Sequence, residues 1–192
     1  MRRIAVLASL AAVVVAAPAA AGAEPRTAPD CRFEGAREYE RFGRIHTFTT
    51  DSGLYGCLTD VGRAYRLGTG TIRARAAGTR RTVFGFGDWV AHPVRSASGA
   101  RRVRALNLRT GERHRAATAA AVTALVVNVD GTLAWIAGTE VRTKAVGSRP
   151  ELLGSDSALD RGFLGIENDE GCAITWRVDG EQRSSSIHCN GV

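Results

Sequence analysis

A hairpin built around tryptophan recurs along the chain, and this recurrence limits the fold more than any other feature. Trp176 follows Trp135 by 41 residues, and on that alignment Leu133 matches Ile174. Trp89 precedes Trp135 by 46 residues, within an Asp-Trp-Val-Ala segment that is similar to Ala-Trp-Ile-Ala around Trp135. A period of about 40–45 residues with several strands per unit is typical of a β-propeller.

The clearest copy has an Asp130-Gly131 dipeptide between the runs Leu125–Val129 and Thr132–Ile136. Asp-Gly between apolar runs predicts a type I′ hairpin turn, which needs positive φ at both central residues. The strands are apolar on both faces, which suits strands covered by a sheet on either side. We therefore predict an all-β fold, a small propeller-like stack of about four antiparallel blades, with a β-sandwich as the alternative. Helix is sparse; the polar segment Glu34–Phe42 is expected to form one or two helical turns.

Two segments carry a family resemblance. Asp130–Trp135 and Ala173–Gly180 resemble blade hairpins of secreted bacterial β-propeller-like proteins of the TolB-like and YWTD-like kind. The resemblance extends from about Ile45 to Ile187. Copies of the unit are expected near residues 45–67, 82–118, 122–154 and 162–188. Four blades are fewer than is usual in those families, so a closed four-bladed ring and a partly open one both remain possible.

The N-terminus has the pattern of an export signal. Arg2 and Arg3 precede an apolar run from Ile4 to Ala17, and Ala21-Gly22-Ala23 fits the small-residue pattern of a cleavage site. The run is shorter than the about 20 residues that span a bilayer. We predict a signal peptide over residues 1–23 and a single secreted or cell-envelope domain over residues 24–192, with no membrane span after cleavage.

Four cysteines fit an oxidising compartment, where an even number predicts two disulfides. Cys172 and Cys189 flank a hairpin around Asp179-Gly180. A two-residue turn there makes them diagonal neighbours, with Cys172 opposite Ile187; a four-residue loop makes them directly opposite. Either register brings them close, so we predict Cys172–Cys189 and, by elimination, Cys31–Cys57. A metal site is the rival interpretation, but no Cys-x-x-Cys pair or zinc-like histidine spacing supports it.

Positive charge is concentrated in the middle of the chain. The formal net charge is +7, and residues 61–121 hold 13 arginines against two acids, whereas residues 122–192 hold six basic and ten acidic residues. One interpretation is a patch for an anionic cell-surface polymer or lipid surface; the other is solvated arginine on strand faces. No nucleic-acid recognition motif is present, so nucleic acid is not expected as a partner. The candidate patch comprises Arg73, Arg75, Arg80, Arg81, Arg101, Arg102, Arg104, Arg113 and Arg115.

No catalytic, cofactor-binding or metal-binding motif emerges, and none is predicted. The histidines at 46, 92, 114 and 188 are scattered, and each is interpreted as a surface or turn residue. The tryptophans are interpreted as core. Three functions follow from this: a non-catalytic binding or scaffolding module that presents loops to a protein or cell-wall polymer, a hydrolase or lyase acting on an extracellular polymer at the propeller mouth, and an electrostatic binder using residues 61–121. The first is favoured, although fold alone does not decide between binding and catalysis.

Overall fold

Short apolar strands separated by glycine turns form four antiparallel sheets. The computed structural model describes residues 31–68, 83–96, 98–167 and 172–188, and the backbone of residues 26–27. The predicted signal peptide over residues 1–23 lies outside the described residues. In the described part of the chain, no helix has the length and apolar character needed to cross a bilayer.

Sheet I has the strand order β1-β5-β4-β3-β2. Its strands are β1 (Arg26–Thr27), β2 (Arg37–Phe42), β3 (Ile45–Thr50), β4 (Gly53–Leu58) and β5 (Arg63–Gly68). Sheet II is an up-and-down meander of β6 (Phe84–Phe86), β7 (Trp89–Arg95), β8 (Arg101–Asn107) and β9 (Arg113–Thr118).

Sheet III repeats the four-stranded meander, and sheet IV has three strands in the described residues. Sheet III contains β10 (Val122–Val127), β11 (Leu133–Ala137), β12 (Glu140–Lys144) and β13 (Glu151–Ser155). Sheet IV contains β14 (Leu159–Glu167), β15 (Cys172–Val178) and β16 (Glu181–Ile187). The segment Glu34–Phe42 is therefore not helical: most of it is β2, and the prediction of helical turns there was wrong.

The sheets stack face to face, and each interface has its own apolar cluster. Ile45 and Leu67 of sheet I pack with Val90 of sheet II. Trp89 and Val103 of sheet II pack with Trp135 of sheet III. Sheets III and IV meet around Ile136, Val141, Ile174 and Trp176. The predicted all-β, propeller-like fold is confirmed.

One edge strand of each sheet, namely β2, β6, β10 and β14, borders a shared space. They line an apolar pocket of about 200 Å³ formed by Phe42, Phe84, Gly85, Phe86, Val126, Val127, Asn128 and Ile166. Among the described residues, sheets I and IV share no buried apolar cluster. The outer face of sheet I is instead covered by residues 31–36, which the Cys31–Cys57 disulfide ties to β4. On that face Phe33 stacks on Phe48, and Phe48 stacks on Tyr55.

The three tryptophans are buried, as predicted, but they are not equivalent. All three lie on the second strand of their sheets. Trp135 and Trp176 both face the preceding sheet, whereas Trp89, at the start of β7, faces the following one. The third strands of sheets III and IV carry corresponding ion pairs, Glu140–Arg142 and Glu181–Arg183, 2.8 and 2.9 Å long.

The two Asp-Gly hairpins differ in their turns. Val178 pairs with Glu181, and Asp179 and Gly180 have φ of 51° and 82°, so the two-residue turn is correct and the four-residue loop is not. At the other hairpin Asp130 lacks a positive φ, and the prediction of a type I′ turn was wrong. There the Gly131 amide donates to Asn128 O, closing a three-residue loop in which Gly131 alone is left-handed.

Candidate anion-binding cleft

A cleft of about 430 Å³ lies between the outer strands of sheets I and II. Its walls come from β5 on one side and from β7, β8 and β9 on the other. The lining residues are Arg66, Leu67, His92, Arg104, Ala105, Leu106, Arg113, His114 and Arg115. Four of these nine residues are arginines, so the cleft concentrates positive charge.

Strand register explains why the arginines share one face. Alternate residues of a strand point to the same side, and Leu106 of β8 packs against sheet I. Arg104 and Arg102 therefore also face sheet I. Arg115 lies directly opposite Arg104, and Arg113 lies opposite Leu106. We call this row, Arg102, Arg104, Arg113 and Arg115, the arginine ladder.

The arginine ladder has no carboxylate to balance it in the described residues. Like charges directly opposite one another on adjacent strands are destabilising. Asp60 and Asp88 both bind Arg44 and Arg109 in a closed four-residue ion-pair network, and Glu112, next to Arg113 in the chain, forms no ion pair with a ladder arginine in the described residues. Arg104 and Arg115 thus form a facing pair of cations that an anion bound in the cleft would stabilise.

His92 of β7 forms part of the cleft wall and lies opposite Arg104 of β8. It is buried, and its Nε2 lies 2.8 Å from the Leu67 carbonyl oxygen. Because a carbonyl only accepts, Nε2 carries the proton and Nδ1 is an acceptor; among the described residues Nδ1 has no partner. Burial, aided by the charge of Arg104, lowers the pKa of His92 to about 4. The imidazole is therefore neutral at ordinary pH and links sheets I and II by a hydrogen bond.

His114 plays a different part although it also borders the cleft. Its ring packs edge-on against Trp89, with 5.4 Å between ring centroids, and its Nε2 lies 2.7 Å from the Gly131 carbonyl oxygen. Both partners belong to the interface of sheets II and III. Burial lowers the pKa of His114. The buried His92 and the half-buried His114 thus serve neighbouring interfaces and do not form an acid–base pair.

The structure separates the arginines of the predicted patch into three groups. Arg73, Arg75, Arg80 and Arg81 lie outside the described residues. Arg104, Arg113 and Arg115 line the cleft, and Arg102 shares their face. Arg101 lies on the opposite face, paired with Arg95. A role in binding anions remains a prediction for all of them.

Sequence reasoning missed His92 and Arg66 as cleft residues. The interpretation of His92 as a surface or turn residue was wrong, because it is buried within β7. It lies two residues from each of the apolar Val90 and Val94, and this period of two is the signal that could have placed it on an inner face. Arg66 lies in β5 between the buried Tyr65 and Leu67, and the sequence holds no sign of what β5 would face.

A larger cavity, of about 590 Å³, lies on the outer face of sheet I. Its lining includes Glu38 and Arg41 together with His46, so charges of both signs are already present there. Of the predicted disulfides, Cys31–Cys57 is formed, with 5.8 Å between Cα atoms. Cys172 is also disulfide-bonded; its predicted partner, Cys189, lies outside the described residues. The described residues hold no group of three or more metal-ligating side chains.

Comparison with known proteins yields no family. No family model and no curated protein matches the chain. Among solved structures it is similar to a crystal structure of the eukaryotic initiation factor, with 17% identity over 83% of this chain and a TM-score of 0.47. It is also similar to the N-terminal domain of Nup159, with 12% identity over 79% of this chain and a TM-score of 0.32. The chain spans 44% and 47% of those two chains. Likenesses this distant do not bear on function, and the TolB-like or YWTD-like kind of propeller stays a prediction.

Proposed function

We propose that this protein is a non-catalytic binding module that acts outside the cytoplasm and holds an anionic polymer in the cleft between sheets I and II. The observation that carries the proposal is the facing pair Arg104 and Arg115, which has no carboxylate partner in the described residues. Guanidinium groups bind carboxylate and phosphate through paired hydrogen bonds. The disulfides support an oxidising compartment.

The chemistry of the cleft favours binding over catalysis. Its polar side chains are guanidinium groups and imidazoles whose Nε2 atoms contact backbone carbonyl oxygens. An arginine remains protonated throughout the working pH range, so it holds charge without exchanging protons. His92, with a pKa near 4, is neutral and fixed in one tautomer by Leu67. Such groups position an anion.

Binding of dextran sulfate over a range of salt concentrations tests this proposal. We expect affinity to fall steeply as salt rises, since ion pairs in a partly open cleft are screened. The double variant R104T/R115T should lose on the order of tenfold or more in affinity at low salt. The matched control is R95T/R101T, which removes an equally opposed arginine pair from the other face of sheet II. Salt-insensitive binding, or an equal loss in both variants, would contradict the proposal.

A further inference from the structure

The arginine ladder has a regular spacing along the strands. Arg113 occupies one rung, Arg104 and Arg115 the next, and Arg102 the third, as the register of β8 and β9 defines. Successive rungs are two residues apart, which is about 7 Å in a β-strand. An extended chain lying parallel to these strands would therefore meet a guanidinium group at each of three rungs.

This spacing favours one kind of linear polyanion. Consider a polymer whose phosphodiesters are joined by three-carbon units. The number of bonds between its successive phosphorus atoms equals the number of backbone bonds in two strand residues. An extended chain of that length spans about 7 Å. Such a polymer can place one phosphate on each rung without bending. A polyphosphate, with far fewer bonds between charges, would leave most of its charges between rungs.

Single-stranded nucleic acid shares this backbone spacing but needs more from its binding surface. Proteins that hold single strands stack the bases on aromatic side chains. The cleft-facing positions of sheet II alternate as Val90, His92 and Val94 on β7, as Arg102, Arg104 and Leu106 on β8, and as Arg113, Arg115 and Ala117 on β9. No tyrosine, phenylalanine or tryptophan is among these described residues. The face therefore suits a polymer whose repeating unit is a small polyol.

We infer that the arginine ladder binds an extended polyol-phosphate polymer, with three consecutive phosphodiesters on the three rungs. The inference rests on the proposed function and adds to it the class of ligand and its direction along β8 and β9. His92 keeps the wall beside the central rung neutral, because burial lowers the pKa of its imidazole to about 4; its Nε2–H is held by the Leu67 carbonyl oxygen. An uncharged wall leaves the facing arginines free to bind phosphate.

Calorimetry with glycerol-phosphate oligomers of increasing length tests the inference on the whole chain. We expect affinity to rise with each phosphate up to three and then to level off, with about a tenfold gain per rung. Arg113→Thr should remove one rung, so that affinity levels off at two phosphates. The slope of log affinity against log salt should fall by about one for each arginine removed. Arg101→Thr, on the opposite face, is the matched control and should change neither quantity.

Two further probes separate failure of this inference from failure of the proposed function. If polygalacturonate of equal charge binds as tightly as the glycerol-phosphate polymer, the phosphate ladder is wrong and the anion-binding module stands. If oligo-dT binds more tightly than the glycerol-phosphate polymer, the choice of a polyol is overturned. If neither these probes nor dextran sulfate binds, the proposed function itself fails.

Discussion

Gly131 shows how one residue can be fixed by its neighbours in another sheet. Its φ is 83°, and a Cβ added there would lie 2.6 Å from the Trp89 ring. The His114 imidazole contacts its carbonyl oxygen from sheet II. The turn between β10 and β11 is thus held by packing between sheets as well as by its own sequence.

We expect Gly131→Ala to lower the free energy of unfolding by about 2–5 kcal/mol, measured by urea denaturation. A left-handed alanine costs about 1–2 kcal/mol, and the overlap with Trp89 adds a cost typical of overpacking, about 1–3 kcal/mol. The matched control is Gly180→Ala, where φ is 82° and nothing lies within 4 Å. That variant should show the backbone cost alone. Equal losses at the two sites would show that the contact with Trp89 adds nothing.

His92 makes stability depend on pH on the acid side. Its pKa falls from 6.5 in the unfolded chain to about 4 in the folded protein, so between those values the unfolded chain binds the extra proton. Its contribution is complete above pH 6.5 and is lost as pH falls toward 4, by about 3 kcal/mol in all. His92→Gln keeps a donor for the Leu67 carbonyl oxygen without titrating in this range. The difference in unfolding free energy between the two proteins should therefore change with pH across this window. A difference independent of pH would contradict the role assigned to burial.

Among the elements, the two Asp-Gly hairpins show what sequence can and cannot predict. Asp179-Gly180 is exposed and forms the type I′ turn that local preference dictates. Asp130-Gly131 carries the same dipeptide, but the Asp130 carboxylate accepts a hydrogen bond from the Thr132 amide, and Trp89 and His114 hold Gly131. Local preference prevails at Asp179-Gly180, where the Asp179 amide donates to the Ala158 carbonyl oxygen but nothing lies within 4 Å of a Cβ added at Gly180. Contacts between sheets prevail at the other turn, and no local pattern encodes them.

The prediction of helical turns in the segment that forms β2 failed for a related reason. Its sequence is polar and carries no alternation that favours a strand. Pairing with β3 and the packing of Tyr39 and Phe42 on the core of sheets I and II determine its conformation. The candidate site was also predictable only in part. Composition indicated an arginine-rich region, whereas only strand register showed which of its arginines share a face. Burial of His92 depended on β5, which lies 25 residues earlier in the chain at Leu67.

The opposed arginines of β8 and β9 should weaken their own hairpin when no anion is present. A like-charged pair directly opposite costs on the order of 0.2–1 kcal/mol. We expect Arg115→Thr to raise the free energy of unfolding by about 0.5 kcal/mol at low salt. The gain should vanish near 1 M salt, where screening acts within about 3 Å. Arg113→Thr is the matched control, because Arg113 faces Leu106 and has no arginine directly opposite. A gain that persists at high salt would point to strand propensity as its cause.

At the scale of the whole molecule, the protein is a stack of sheets with a capped end. Residues 31–36 and the Cys31–Cys57 disulfide cover the outer face of sheet I, where the rings of Phe48 and Tyr55 would otherwise meet water. Terminal units of repeat stacks need such covering because they lack a neighbour. Each interface between sheets has its own apolar cluster, so stability should be distributed between nearest neighbours.

Native-state hydrogen exchange tests this distribution. Ile174→Ala removes a fully buried side chain from the interface of sheets III and IV, at a cost of about 2–5 kcal/mol. If each sheet is stabilised only by the sheets next to it, the protection of the amides of β14, β15 and β16 should fall, while the amides of β7 and β8 keep their protection. Val90→Ala is the mirror control, because it weakens the interface of sheets I and II and should leave sheet IV protected. If either substitution lowers protection equally in all four sheets, the molecule opens as a single cooperative unit, and the interfaces are coupled more tightly than their separate clusters imply.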